Sequence, residues 1–185
     1  MTPAEFDACF DRFRKSAWRL EALQRYTIDE EEDRIRAWRE GEPRPERSVR
    51  TSPWLRRVAV STAEGKEWGR VHVVEHPLSE YLRYQIAGYI ESAAAGEEIR
   101  IADKSADPAL ADIGPDFWLF DGDSPEAFAI LMRYDEAGHW LGADYTTDPE
   151  TLEKCRQAQA LALRHSVPLN VYLANSRMDA PRQVA

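Results

Sequence analysis

The stretch DFWLFD, Asp116 to Asp121, constrains the fold more than any other part of this chain. Side chains alternate between the two faces of a strand, so Trp118 and Phe120 share the Asp116 side while Phe117 and Leu119 share the Asp121 side. Both faces are apolar in the middle. That predicts a central strand packed on both faces, with the flanking acids capping turns. The two carboxylates stand five residues apart, an odd separation that keeps them from sharing one proton or metal unless the strand is broken.

Strand patterns surround it. Trp54 onward reads as a hairpin, with Val58 and Val60 before the turn Ala63 to Lys66 and Val71 and Val73 after it. Ser79 caps a helix running to about Ala95 with Leu82, Ile86, Tyr89 and Ala93 as its core stripe, and Gly96 ends it before the strand Ile99 to Ile101. Phe128 to Tyr134 and Trp140 to Thr146 pair around the turn Asp135 to Gly138. Asp148 and Pro149 open a C-terminal helix carrying Leu152, Cys155, Ala158 and Ala162.

The N-terminal part is read as helical. Thr2, Pro3 and Glu5 form a capping-box start, and Phe6, Phe10, Phe13, Ala17 and Leu20 fall on one helix face. Thr27 with Glu30 starts a second helix, which Ile35 and Trp38 bury and Gly41 closes. The expected organisation is an N-terminal helical segment over 1–41, a Pro/Arg-rich linker over 42–53 containing Arg44, Arg47 and Arg50, and a core domain over 54–175. The fold class is α+β: a mainly antiparallel sheet with that helical segment, one mid-chain helix and a C-terminal helix.

Charge narrows the function. The chain carries a net −9; residues 1–57 hold 13 basic and 12 acidic side chains, against 11 basic and 21 acidic in the remainder. Duplex binding depends on neutralising phosphates, so direct nucleic-acid contact is disfavoured and a basic partner suits the surface better. No apolar run reaches the roughly 18 residues that span a bilayer, and the N-terminus has no signal-peptide pattern. A cytoplasmic protein without membrane contact is expected, with Cys9 and Cys155 as reduced thiols on apolar helix faces.

Chemistry-bearing motifs are sparse. His72, His76, His139 and His165 lack zinc-site spacing; His72 and His76 share a strand face but stand roughly 13 Å apart. Nucleophile-elbow, phosphate-loop and dinucleotide-binding patterns are absent, and neither a metal nor a cofactor is expected. No residue is assigned a catalytic role. The candidate ligand or partner site gathers Glu75, Glu80, Tyr81, Arg83 and Tyr84 with Asp116, Trp118 and Asp121 near strand ends.

SAWRLE (Ser16 to Glu21) with Tyr26, RVHVVEHPLSEYLRY (Arg70 to Tyr84), AAGEEIRI (Ala94 to Ile101), DFWLFD, the turn Asp135 to Gly138 and Asp148-Pro149 together resemble an uncharacterised actinobacterial family, domain of unknown function 6879. The resemblance covers about residues 6 to 173 and leaves out the tail SRMDAPRQVA. It implies no reaction, cofactor or catalytic residue. It does imply company, because genes for similar proteins often lie beside helix-turn-helix regulators. The leading expectation is a soluble regulatory or interaction protein acting with such a DNA-binding partner. The alternative is an enzyme or small-ligand sensor with a polar and aromatic pocket near residues 75–84 and 116–121; a deep cleft with convergent polar groups would favour it.

Overall fold

The computed structural model describes residues 1–43 and 45–176; Arg44 of the linker and tail residues 177–185 lie outside them. The chain is α+β, with a seven-stranded sheet at its centre. Strand β1 is Ser16–Glu21, β2 Glu67–Val74, β3 Glu97–Asp103, β4 Phe117–Phe120, β5 Phe128–Tyr134, β6 Trp140–Thr146 and β7 Ser166–Pro168. Their order is β6-β5-β4-β1-β2-β3-β7.

The sheet is mixed, not mainly antiparallel. β1, β2 and β3 run parallel, while β4, β5 and β6 form an antiparallel meander on one side and β7 closes the other. Parallel neighbours need crossovers, and helices supply them. Helices α2 (Glu32–Glu40) and α3 (Pro53–Ala63) lie between β1 and β2, and α4 (Glu80–Ala94) joins β2 to β3. With α1 (Pro3–Cys9), α5 (Pro149–Arg164) and α6 (Leu169–Ser176), the described residues hold six α-helices, more than the expected arrangement.

Two local readings are corrected. The expected helix through Phe6, Phe10, Phe13, Ala17 and Leu20 stops at Cys9, and Ser16–Glu21 becomes a strand inside the sheet. A distant side chain turns the backbone there: the Asp121 carboxylate accepts the N–H groups of Arg14, Lys15 and Ser16 at 2.8, 2.7 and 2.9 Å. The expected hairpin from Trp54 is instead α3 followed by β2. Ser52 Oγ accepts the Leu55 N–H, Pro53 takes the first helical turn, and Val58 is buried while Val60 stands exposed on the far side.

Other elements follow the sequence closely. The Thr2–Glu5 capping box, the Ser79 and Asp148 caps and the β5–β6 pairing all form. Gly41 ends α2 at φ 70°, a left-handed conformation that glycine adopts without strain. Thr27, however, pairs with His139 in an isolated bridge and does not cap α2, and Ala93 is exposed where Ser92 is buried.

β4 has the expected two faces. Trp118 and Phe120 join Phe10, Phe13, Leu55 and Trp68 in one apolar layer, and Phe117 and Leu119 join Leu20, Val71, Leu152 and Cys155 in the other. A third cluster, with Leu82 and Ile86 of α4 against Ile99 and Ile101, covers the β3 end of the first face. Between the first and third clusters the sheet face is polar.

Candidate functional site

Alternation along three parallel strands builds the polar patch. Arg19 and Glu21 of β1 project to the same face as Arg70 and His72 of β2 and Glu97 of β3. Asp116, just before β4, reaches in from the side. From above come Tyr89 of α4, Tyr26 of the segment after β1, and Tyr134 at the end of β5.

The contacts form one connected network. Arg19 Nη2 donates to Asp116 Oδ2 at 3.2 Å and to Tyr134 Oη at 3.0 Å. Asp116 also accepts the Ala22 N–H at 2.8 Å and the Tyr26 hydroxyl at 2.5 Å. Arg70 bridges two carboxylates, Glu21 and Glu97, at 2.8 Å each. Tyr89 Oη lies 2.7 Å from Glu21 and 2.7 Å from His72 Nδ1, and His72 Nε2 lies 3.0 Å from the Leu23 carbonyl. The Glu97 side chain is fully buried, with Oε2 lacking a hydrogen-bond partner.

Burial and charge compete at each group. Burial opposes ionisation of Glu21, yet Arg70 and Arg19 outweigh it and hold the carboxyl down at about 2. At Asp116 burial prevails over Arg19 and the Tyr26 hydroxyl, and the carboxyl is raised. Burial likewise pushes the Tyr26 and Tyr89 phenols well up. Charges enclosed in this way need one another, because removing one partner of a buried pair typically costs about 3–5 kcal/mol.

The residues expected at the site are dispersed. Asp116 belongs to the network, and the Arg19 guanidinium lies 5.5 Å over the Trp118 ring. Tyr81 and Tyr84 are buried in a small cluster with Tyr26, packed against Ile35 and Trp38, and the Tyr81 hydroxyl donates to Glu31 at 3.4 Å. Glu80 is exposed and meets Arg39 at 3.2 Å. Arg83 points to solvent and donates to the Leu78 carbonyl; Glu75 pairs with Lys104. Asp121 is spent on the backbone before β1. Arg19, Glu21, Tyr26, Arg70, His72, Tyr89, Glu97 and Tyr134 were not among the expected site residues. The available signal was Arg-x-Glu and Arg-x-His at strand spacing within apolar runs.

Beside the network a cleft of about 270 Å³ opens between the segment 25–28, α2 and the start of α4, lined by Arg25, Tyr26, Ile28, Arg39, Glu80 and Tyr81. Its back wall is fixed by close backbone approach. Gly138 sits against Arg25, where an added Cβ would fall 2.5 Å from the carbonyl oxygen, and the Thr27 N–H donates to the Gly138 carbonyl at 3.0 Å. Among the described residues, no three or more His, Cys, Asp or Glu side chains are placed to hold a metal ion.

The family model of a domain of unknown function, DUF6879, matches residues 4–174. The chain belongs to this family. The DUF6879 match takes in all seven strands, the whole buried network and the cleft, so these features lie within the family domain. No curated protein matches the chain. No helix among the described residues is long and apolar enough to cross a membrane.

Proposed function

We propose that the chain is a non-catalytic regulatory or interaction protein of the cytoplasm, working with a helix-turn-helix DNA-binding regulator and not gripping nucleic acid itself. The observation that carries this reading is where its charge lies. Residues 122–153, spanning the β5–β6 hairpin and the start of α5, hold eight carboxylates and one arginine. Asp123, Glu126, Glu136, Asp144, Glu150 and Glu153 are exposed. Arg14, Arg133, Lys154 and Arg156 pair with Glu126, Asp144, Glu150 and Glu153, and the acidic excess that remains disfavours phosphates and suits a basic protein, for which opposite charge speeds encounter. The buried carboxylates and arginines, by contrast, are occupied with one another, which suits a scaffold better than a reacting centre.

The test is binding of the purified chain to the adjacent regulator and to duplex DNA across a salt series. Regulator binding should weaken as the Debye length falls from about 30 Å at 0.01 M to about 10 Å at 0.1 M, and Asp123→Lys with Glu136→Lys should slow association. Tight DNA binding without the regulator, or no regulator binding at low salt, removes this reading. A second reading, a small-ligand sensor, draws support from the cleft, where Arg25 and Arg39 stand beside Glu32 and Glu80. Small carboxylates or phosphates that raise Tm in the native chain, but not in Arg39→Ala, would favour it.

A further inference from the structure

Three contacts run in series through the closed centre of the sheet: Leu23 O to His72 Nε2 at 3.0 Å, His72 Nδ1 to Tyr89 Oη at 2.7 Å, and Tyr89 Oη to Glu21 Oε2 at 2.7 Å. Each is a hydrogen-bond separation, so each needs one hydrogen between its two heavy atoms. A carbonyl and a carboxylate offer only lone pairs. All three hydrogens must therefore come from the imidazole and the phenol. A neutral imidazole brings one and the phenol brings one. Two hydrogens cannot fill three contacts, and either neutral tautomer leaves a pair of acceptors facing each other.

The missing hydrogen does not belong on Glu21, since Arg70 Nη1 at 2.8 Å and Arg19 Nε at 3.6 Å hold that carboxylate ionised. The charges of the patch point the same way: two guanidiniums, Arg19 and Arg70, face three carboxylates, Glu21, Glu97 and Asp116. One further positive charge balances them.

We propose that His72 is a doubly protonated imidazolium that joins the Leu23 carbonyl to Tyr89 and Glu21, so that loss of its proton leaves one of the three contacts without a hydrogen. The segment around Leu23 is held at other points too, by the Ala22 N–H on Asp116, the Ser79 hydroxyl on the Gln24 carbonyl, and Thr27 on the carbonyls of Ala137 and Gly138. Gln24 bonds the Val73 carbonyl and the Glu75 N–H, Tyr26 bonds Asp116, and the Leu23 carbonyl bonds His72. The groups facing His72 are Glu21 and Arg19 from β1, Arg70 of its own strand, Tyr89 of α4, Tyr26 of the segment and Asp116 before β4, with Glu97 of β3 reached through Arg70. Burial of the ring, the largest effect, lowers its value below the ordinary one, and the Glu21 carboxylate draws the proton back only in part; against that burial, the three-hydrogen requirement of the geometry decides in favour of the charged ring. The proposal does not depend on the partner reading above.

The experiment uses the full chain labelled with ¹⁵N at histidine. At pH 7 both His72 ring nitrogens should show a directly bonded hydrogen. Tyr89→Phe removes the middle contact, so a neutral ring donating to Leu23 suffices and the Nδ1 hydrogen should be lost at pH 7. A native His72 ring carrying one hydrogen at pH 7, or two ring hydrogens in Tyr89→Phe as in the native chain, overturns the proposal. The nitrogen measurement stands on the native chain and needs no variant.

Discussion

Trp118 shows how one side chain serves two environments. It is 4% exposed, edge-on to Phe10 at 5.0 Å and to Trp68 at 6.1 Å, and its ring also carries the Arg19 guanidinium. Apolar packing and the charged network therefore meet on this ring. Trp118→Ala should cost about 3–5 kcal/mol, as large-to-small changes in packed cores do, read as a lower urea midpoint. The same substitution uncovers Arg19, so Tyr26 and Tyr134 should lose their near-ultraviolet signature together with the aromatic layer. A cost below about 1 kcal/mol, the level of surface substitutions, would contradict this packing. Glu21 and Asp116, two carboxyls sharing Arg19, are shifted in opposite directions because Glu21 has a second guanidinium and Asp116 does not.

Elements differ in how far they depend on the rest of the chain. α5 is specified by its own residues: Asp148 caps it, Pro149 opens it, and Leu152, Cys155 and Ala162 face the sheet. α2 has no fully buried residue; Ile35 and Trp38 pack against the tyrosine cluster, and Arg34 pairs with Glu91 at 2.9 Å and Arg39 with Glu80. Most of the described residues between Gly41 and Ser52 are exposed. Limited trypsin should cut first at Arg47 or Arg50, since chain with few buried contacts opens locally at least cost. Arg50 is the better site: its side chain is 85% exposed, whereas Arg47 is engaged by Glu91 and Ser92. First cleavage at Arg100 or Arg133, both within strands, would contradict this ranking of local stability.

For the molecule as a whole, the buried network should govern acid stability. Glu21 has a folded value of about 2 against an ordinary 4.5, so its contribution is present above 4.5 and is lost as pH falls toward 2. Glu21→Gln should flatten the pH dependence of the urea midpoint over that interval. At pH 7 it should cost about 3–5 kcal/mol, as breaking a buried pair does. An unchanged acid slope in the variant would show that Glu21 is not held ionised by Arg70 and Arg19. Asp116, raised in the fold, contributes with the opposite sign; comparison with the native chain cancels it.

The sequence by itself determined what depends on neighbours along the chain. The Thr2, Ser79 and Asp148 caps, the β5–β6 pairing and the two-sided burial of DFWLFD need only alternation, helical spacing and a few side-chain-to-backbone bonds. Tertiary structure decided the rest, because the deciding partners are distant. Asp121 reaches back to the N–H groups of residues 14–16 and turns an expected helix into β1. β1 then lies parallel to β2 and antiparallel to β4, so Ser16–Glu21 becomes a central strand within an expected helical segment. The candidate site was illegible for the same reason. Arg19, Glu21, Arg70, His72 and Asp116 look like scattered surface charges until β1, β2 and β4 lie side by side, and only then does Coulomb attraction at short range make their burial tolerable.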